Sequence, residues 1–423
     1  MTLATVHAWY VMNGTDVISA DVLFQAWFFL AFQDPWVRYE YVAPGRVARR
    51  EEPQAETDLA APVVVEGDVD EDQDEDDEQA PLKPTASDHA VPTDTRGQTY
   101  PFSLAERIPW VLNLLSCIRL NNWRIGHKSH DAVQPPPPGF RSRKAFLLQS
   151  IISFTRGYVV LDLARAYISY DAYFTDTDVA VTSPLPWSTL GWIPPQLVRS
   201  MVVGAQAWAL ISQIAYLTFL IPVGLNAVHL VPNAVSPHTW VAFFGSPSVI
   251  FRSGVRGFWG GYWHQTMRWM TSGPGYAISD VLRLRERSVA RYGVISVSAF
   301  LLSGITHVGL VPPEPLHASV SANTIRLNVA TFFWLQPVAM MAEVVVIKVL
   351  TRTLSPRFLI SRQASTLRAV LNALWVLAWF SLCIPLLGEA GRQLGYWRVW
   401  TVPISLWKAF CGEGWVAWPF LVA

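Results

Sequence analysis

Long apolar runs separated by short polar stretches dominate this chain. The windows 201–231, 292–312, 327–349, 369–390 and 399–421 are mostly apolar and reach the roughly 20 residues that a helix needs to cross a bilayer. Two further stretches carry charges within the same pattern. Asp16 and Asp21 break the apolar run that includes 17–33, and Arg156, Asp162 and Arg165 lie within 145–170. The polar face of 145–170 is therefore expected to look into protein rather than lipid. The pattern predicts an all-α fold, a polytopic transmembrane helical bundle of about 7 to 9 spans with interfacial helices.

Between the spans the pattern changes character. Residues 101–124 read as an amphipathic helix with basic ends, lying in the membrane interface. QPPPPG at 134–139 is a stiff connector, because proline supplies no amide donor and fixes its own φ. PLPWSTLGWIPP at 184–195 is a proline-broken loop whose tryptophans suit the headgroup layer. EGDVDEDQDEDDEQ at 66–79 carries ten carboxylates and no aromatic residue, so it cannot bury enough apolar surface to offset its ordering entropy. It also lacks the fixed glycine and spacing of an EF-hand. The chain thus divides into three regions: 1–50, an N-terminal transmembrane helix with a basic flank; 51–98, an acidic disordered linker; and 99–423, the main membrane domain.

Composition sharpens this picture. A 51% hydrophobic chain with 20 tryptophans belongs in lipid rather than in two or three soluble domains. Its formal charge of zero hides a split: residues 51–98 hold sixteen acidic and two basic residues, leaving sixteen acidic against thirty basic elsewhere. Loop 252–291 carries seven arginines and loop 350–368 four, whereas 313–325 has no charged side chain except Glu314, and 171–198 has only three aspartates. The positive-inside rule then puts 141–144, 252–291 and 350–368 in the cytosol. Cys117, Cys383 and Cys411 are scattered and form neither a disulfide framework nor a zinc site. The first hydrophobic helix is expected to serve as its own insertion signal.

Two patches carry chemistry. Phe300-Leu301-Leu302-Ser303-Gly304-Ile305-Thr306-His307 places Ser303 one turn before His307 on the same face, with Gly304 open to a neighbouring backbone. An ionisable group roughly 22 Å into a span needs a polar cavity, although a neutral core histidine donating to the next helix would fit the same position. FWGGYWHQTMR at 258–268 gathers four aromatics, His264, Gln265 and Arg268. If helical from Gly261, it puts His264 and Arg268 on one face and tryptophans among headgroups at the cytosolic surface, with Arg252 and Arg256 at the same mouth, a setting for a phosphate-bearing ligand. An interfacial anchor helix with incidental charges reads equally well. HKSHD at 127–131 fits HxxxD of soluble CoA-dependent acyltransferases, but no glycine follows and the chain runs into PPPP.

FWGGYWHQ followed some forty residues later by SGITH resembles the fungal wax-synthase-like branch of the membrane-bound O-acyltransferase superfamily. RIPWVLNLLSCIRLNNWRIGH at 107–127 is similar to an upstream element, and the resemblance covers roughly 100–423. It implies that His307 is the essential histidine and that His264 lies near the acyl-CoA. The short N-terminus and the acidic insertion depart from the family pattern. The implied activity is acyl-CoA-dependent O-acyl transfer in the endoplasmic reticulum membrane, most simply O-acetylation of a lipophilic terpenoid or meroterpenoid alcohol. No permanently bound cofactor is expected; acetyl-CoA or another acyl-CoA is co-substrate. His307 and His264 are the catalytic candidates; Trp263, Gln265, Arg268, Arg256 and Arg252 are the acyl-CoA-binding ones. The expected partners are acyl-CoA, the alcohol and membrane lipid, with no nucleic acid and no metal. Long-chain wax ester synthesis is the alternative within this class. A transporter using Asp162, His229, Glu343 and His307 is the alternative outside it.

Overall fold

In a computed structural model, the structure describes residues 39–41, 100–116, 123–125, 142–187, 191–230, 243–263, 268–315 and 319–418. The stretches 17–33 and 51–98 lie outside these, as does HKSHD. Helix α1 (Leu104–Ser116) opens at Ser103, whose Oγ accepts from Glu106 N–H at 3.4 Å and donates to Glu106 Oε2 at 2.8 Å. It leaves Phe102, Leu104 and Ile108 exposed, as an interfacial helix would. It stops short of the predicted Arg124. Trp123–Ile125 (β2) pairs antiparallel with Tyr39–Tyr41 (β1) instead.

Five helical rods among the described residues are long and apolar enough to span a membrane: α2 (Arg143–Tyr170), α3 (Pro195–Ala227), α6 (Val289–Val308), the pair α7 (Ala322–Trp334) and α8 (Gln336–Thr353), and α9 (Arg362–Gln393). The chain is a multi-pass membrane protein. Serines cap four of these rods, Ser142, Ser288, Ser321 and Ser361 each accepting an amide N–H three residues on. Large apolar side chains such as Ile151, Ile214, Val345 and Leu374 stay exposed on the outer surface, where lipid would cover them.

The α2–α3 hairpin packs closely at Gly157, where Gln213 Nε2 donates to Phe154 C=O at 2.7 Å. Arg143 ties one end to Asn226, and Arg199 closes the other with a two-pronged contact to Asp171. Asp162 and Arg165 are buried as expected, Asp162 accepting from Trp407 N–H and Arg165 lying over the Trp400 ring. Arg156 is exposed instead. Helix α9 touches α3, α7 and the short helix α4 (Ser248–Gly257), and so links the α2–α3 hairpin to the rest of the bundle. Helix α5 (Arg268–Val281) packs on α6.

The expected span at 399–421 does not form. A one-turn helix, α10 (Leu406–Phe410), sits inside a folded-back loop closed by Ser405 N–H to Trp415 C=O and Ala417 N–H to Pro403 C=O. Gly412 and Gly414 adopt φ of 77° and 85°, a conformation that ends helices. Hydropathy alone does not register those breaks.

Candidate active site

The aromatic segment is half-buried, with Trp259 packed against the core of the bundle. After α4 the backbone makes a π-helical turn over Phe258–Tyr262, and Trp263 is extended, so no regular helix runs on from Gly261. Gly245 N–H closes on Tyr262 C=O at 2.8 Å, and a Cβ on Gly245 would collide with Gly261 C=O. Gly245 therefore lets these backbones touch. The turn inserts Trp259 among Phe300 of α6, Phe332 of α7 and Phe380 of α9, with ring centroids 5.2, 6.4 and 6.2 Å away. Its indole N–H donates to Gln336 Oε1 at 3.1 Å, and Trp379 donates to the same oxygen at 3.0 Å. Gln336, fully buried, returns its own N–H to Phe332 C=O. Phe258 stacks on Trp263, which also meets Phe244. The expected headgroup placement of Trp259 is thus corrected: a helical-wheel reading assumes an unbroken helix, and this one is broken.

His307 is the penultimate residue of α6, nearer its end than the middle. Its Nδ1 lies 2.7 Å from Ser303 C=O, one turn back. A carbonyl oxygen only accepts, so in the neutral ring Nδ1 holds the proton and Nε2 carries the lone pair. The ring lies against Phe333, centroids 4.1 Å apart. Ile305, which is 63% exposed, marks the outer face, while His307 is partly buried. The imidazole therefore faces protein rather than hydrocarbon. Gly304 allows the expected close approach: a Cβ there would collide with Trp334 Nε1 of α7. Phe300 and His307, seven residues apart, share one stripe of α6. Trp259 covers the first, Phe333 the second, and Phe332 adjoins both partners.

The remaining predicted residues are only partly brought together. Arg256 is half-buried with Nε 3.5 Å from Glu343 Oε2, whereas Arg252 is exposed and donates to Ser248 Oγ. His264 and Gln265 lie outside the described residues, and Arg268 opens α5 with its side chain likewise undescribed. His229 is not inside a span: it sits past the end of α3, exposed, with φ 60°. Sequence reasoning missed Gln336 and Trp379. The available signal was an amide beside Pro337 in the middle of a mostly apolar window.

Residues 240–334, a stretch containing both the aromatic turn and His307, match the model of the membrane bound O-acyl transferase family. An acetyltransferase of Hericium erinaceus is 26% identical over 295 residues, 68% of this chain and 67% of that protein. An acetyltransferase of Rhodocybe pseudopiperita is 29% identical over 285 residues, 67% of this chain and 66% of that protein. One from Arthrinium sp is 24% identical over 289 residues, 65% and 62% of the two chains. The matched stretches thus span about two thirds of these relatives' length. No solved structure gives a significant match. These findings define a class, an integral membrane enzyme. Over residues 240–334 the chain is similar to the membrane bound O-acyl transferase family, and over about two thirds of its length to proteins named as acetyltransferases, which supports an O-acyltransferase.

Proposed function

We propose that this chain is an acyl-CoA-dependent O-acyltransferase of the endoplasmic reticulum membrane that acetylates a hydroxyl on a lipophilic secondary metabolite, a terpenoid or meroterpenoid. The observation that carries this reading is the contact of Ser303 C=O with His307 Nδ1 at 2.7 Å, from which it follows that Nε2 is free to act as a base on a protein-facing ring. Nε2 takes the proton of the alcohol as its oxygen attacks the thioester carbonyl. The tetrahedral oxyanion collapses, the C–S bond breaks, and the departing CoA sulfur recovers the proton from the imidazolium. His264 and Gln265 stabilise the oxyanion, while Arg252, Arg256, Arg268 and Trp263 hold the CoA end on the cytosolic side. The acetyltransferases among the relatives favour a short acyl group over the long chain of a wax ester.

Transport is the weaker reading. Asp162 and Glu343 are each engaged by backbone N–H groups, and His229 lies in an exposed turn. The test is release of free CoA by the full-length protein in detergent, given acetyl-CoA and a terpenoid alcohol. Ester product from the wild type and roughly 10²- to 10⁴-fold slower turnover in His307→Ala is the expected result; equal turnover in the two removes His307 as the base.

A further inference from the structure

Helix α4 is broken within the bundle. Gly254 adopts φ 60°, ψ −137°, which takes the N–H groups just after it and a C=O before it out of the helical ladder. In lipid such groups must find partners within the protein. The Glu343 carboxylate of α8 accepts from Val255 N–H at 2.6 Å through one oxygen and from Arg256 N–H at 3.0 Å through the other. Arg256 Nε approaches the second oxygen. On the other side of the break, the Asn372 amide of α9 donates to Phe251 C=O at 2.9 Å. A Cβ at Gly254 would collide with Glu343 Oε1, so glycine, break and carboxylate form one fitted unit.

Gln336 lies seven residues before Glu343 on the same face of α8 and takes the Trp259 indole. One helix therefore grips the arm at two points, at its first amides and at its central ring. Two points on a rigid rod fix both the depth and the rotation of what lies between them. Trp263 ends the arm, and His264 and Gln265 come directly after it in the chain.

We propose that Glu343 is a positioning residue for acyl transfer: its carboxylate caps a broken helix within the bundle and thereby sets how the aromatic arm, Phe258–Trp263, lies against the stripe of α6 that carries Phe300 and His307. This rests on the acyltransferase reading. The carboxylate binds no substrate and transfers no proton; it acts through the backbone of Val255 and Arg256.

The test uses full-length Glu343→Ala and Glu343→Gln proteins in detergent. Hydrogen–deuterium exchange of the peptide spanning 248–263 should quicken roughly tenfold in the alanine variant, since two charge-assisted hydrogen bonds are lost. Exchange in α2 and α3 should not change. With acetyl-CoA and farnesol, geranylgeraniol or a hydroxylated sesquiterpene as probes, kcat should fall roughly ten- to hundredfold, with KM for acetyl-CoA moving by less than about threefold. Glu343→Gln, which keeps one carbonyl oxygen, should lie between. Unchanged exchange in the arm, or wild-type turnover in the alanine variant, overturns the proposal. Should Glu343→Ala fail to fold, Asn372→Ala loosens the other side of the same break and must reproduce the pattern; wild-type exchange and turnover there overturn it equally. A wild-type protein that acetylates none of the probes counts against the acyltransferase reading instead, a result distinct from an active wild type whose Glu343 variants keep their turnover.

Discussion

The hydrogen bond from His307 Nδ1 to a backbone carbonyl survives any change at the Ser303 side chain, so the histidine's orientation is built into α6 itself. Removing the imidazole should then cost the base contribution alone: His307→Ala is expected to lower kcat roughly 10²- to 10⁴-fold with the fold retained, checked by CoA release alongside size-exclusion behaviour. Gln336 gives the opposite kind of prediction. Gln336→Leu leaves the buried indole N–H groups of Trp259 and Trp379 without their shared acceptor, a loss of about 2 to 5 kcal/mol. Denaturant midpoints in detergent would show it, and an unchanged midpoint would mean that the indoles find other acceptors. The sequence pattern made His307 and its one-turn link to Ser303 legible, though the contact runs through the carbonyl, not the hydroxyl. It did not make Gln336 legible as a hub, because both of its partners come from elements distant in the chain.

Helices announced themselves by apolar length, and the observed starts after Ser288 and Ser361 lie within a turn or two of the expected ones. Irregular elements did not. The φ of Gly254 depends on a carboxylate 89 positions away, a tertiary contact that no local period encodes. The loop after residue 399 read as a span because its apolar count was high while Pro403, Gly412 and Gly414 went unweighed. Close packing of α6 on α7 was legible through Gly304, and it yields a prediction at this scale. Gly304→Ala places a methyl against Trp334 Nε1 and 3.2 Å from Ala330 C=O. The two helices must separate, which should destabilise the protein by about 1 to 3 kcal/mol. Thermal unfolding of the purified variant measures this, and a melting temperature equal to wild type would show that the indole swings aside freely.

Threading five rods in order puts the loops at 171–187 and 309–321 at one end of the bundle, and those at 282–288 and 354–361 at the other. The loop arginines follow the same division: Arg283, Arg285, Arg287 and Arg357 fall at the second end, while the two loops of the first have no Lys or Arg, and the chain after α9 adds Arg398 and Lys408 there. The charge asymmetry therefore directs the second end to the cytosol, where acyl-CoA would arrive. Because the chain after α9 folds back instead of crossing, exposed Cys411 stays at the first end. A crossing at 399–421 would have placed the same thiol mid-membrane. Native Cys411 thus reports both on orientation and on the missing span. In sealed microsomes a membrane-impermeant maleimide should label Arg285→Cys, made in a Cys411→Ser background, without permeabilisation. The native thiol should react only once the membrane is opened. Labelling of Cys411 in intact vesicles would reverse the topology, and no labelling after permeabilisation would restore the span that Pro403, Gly412 and Gly414 argue against.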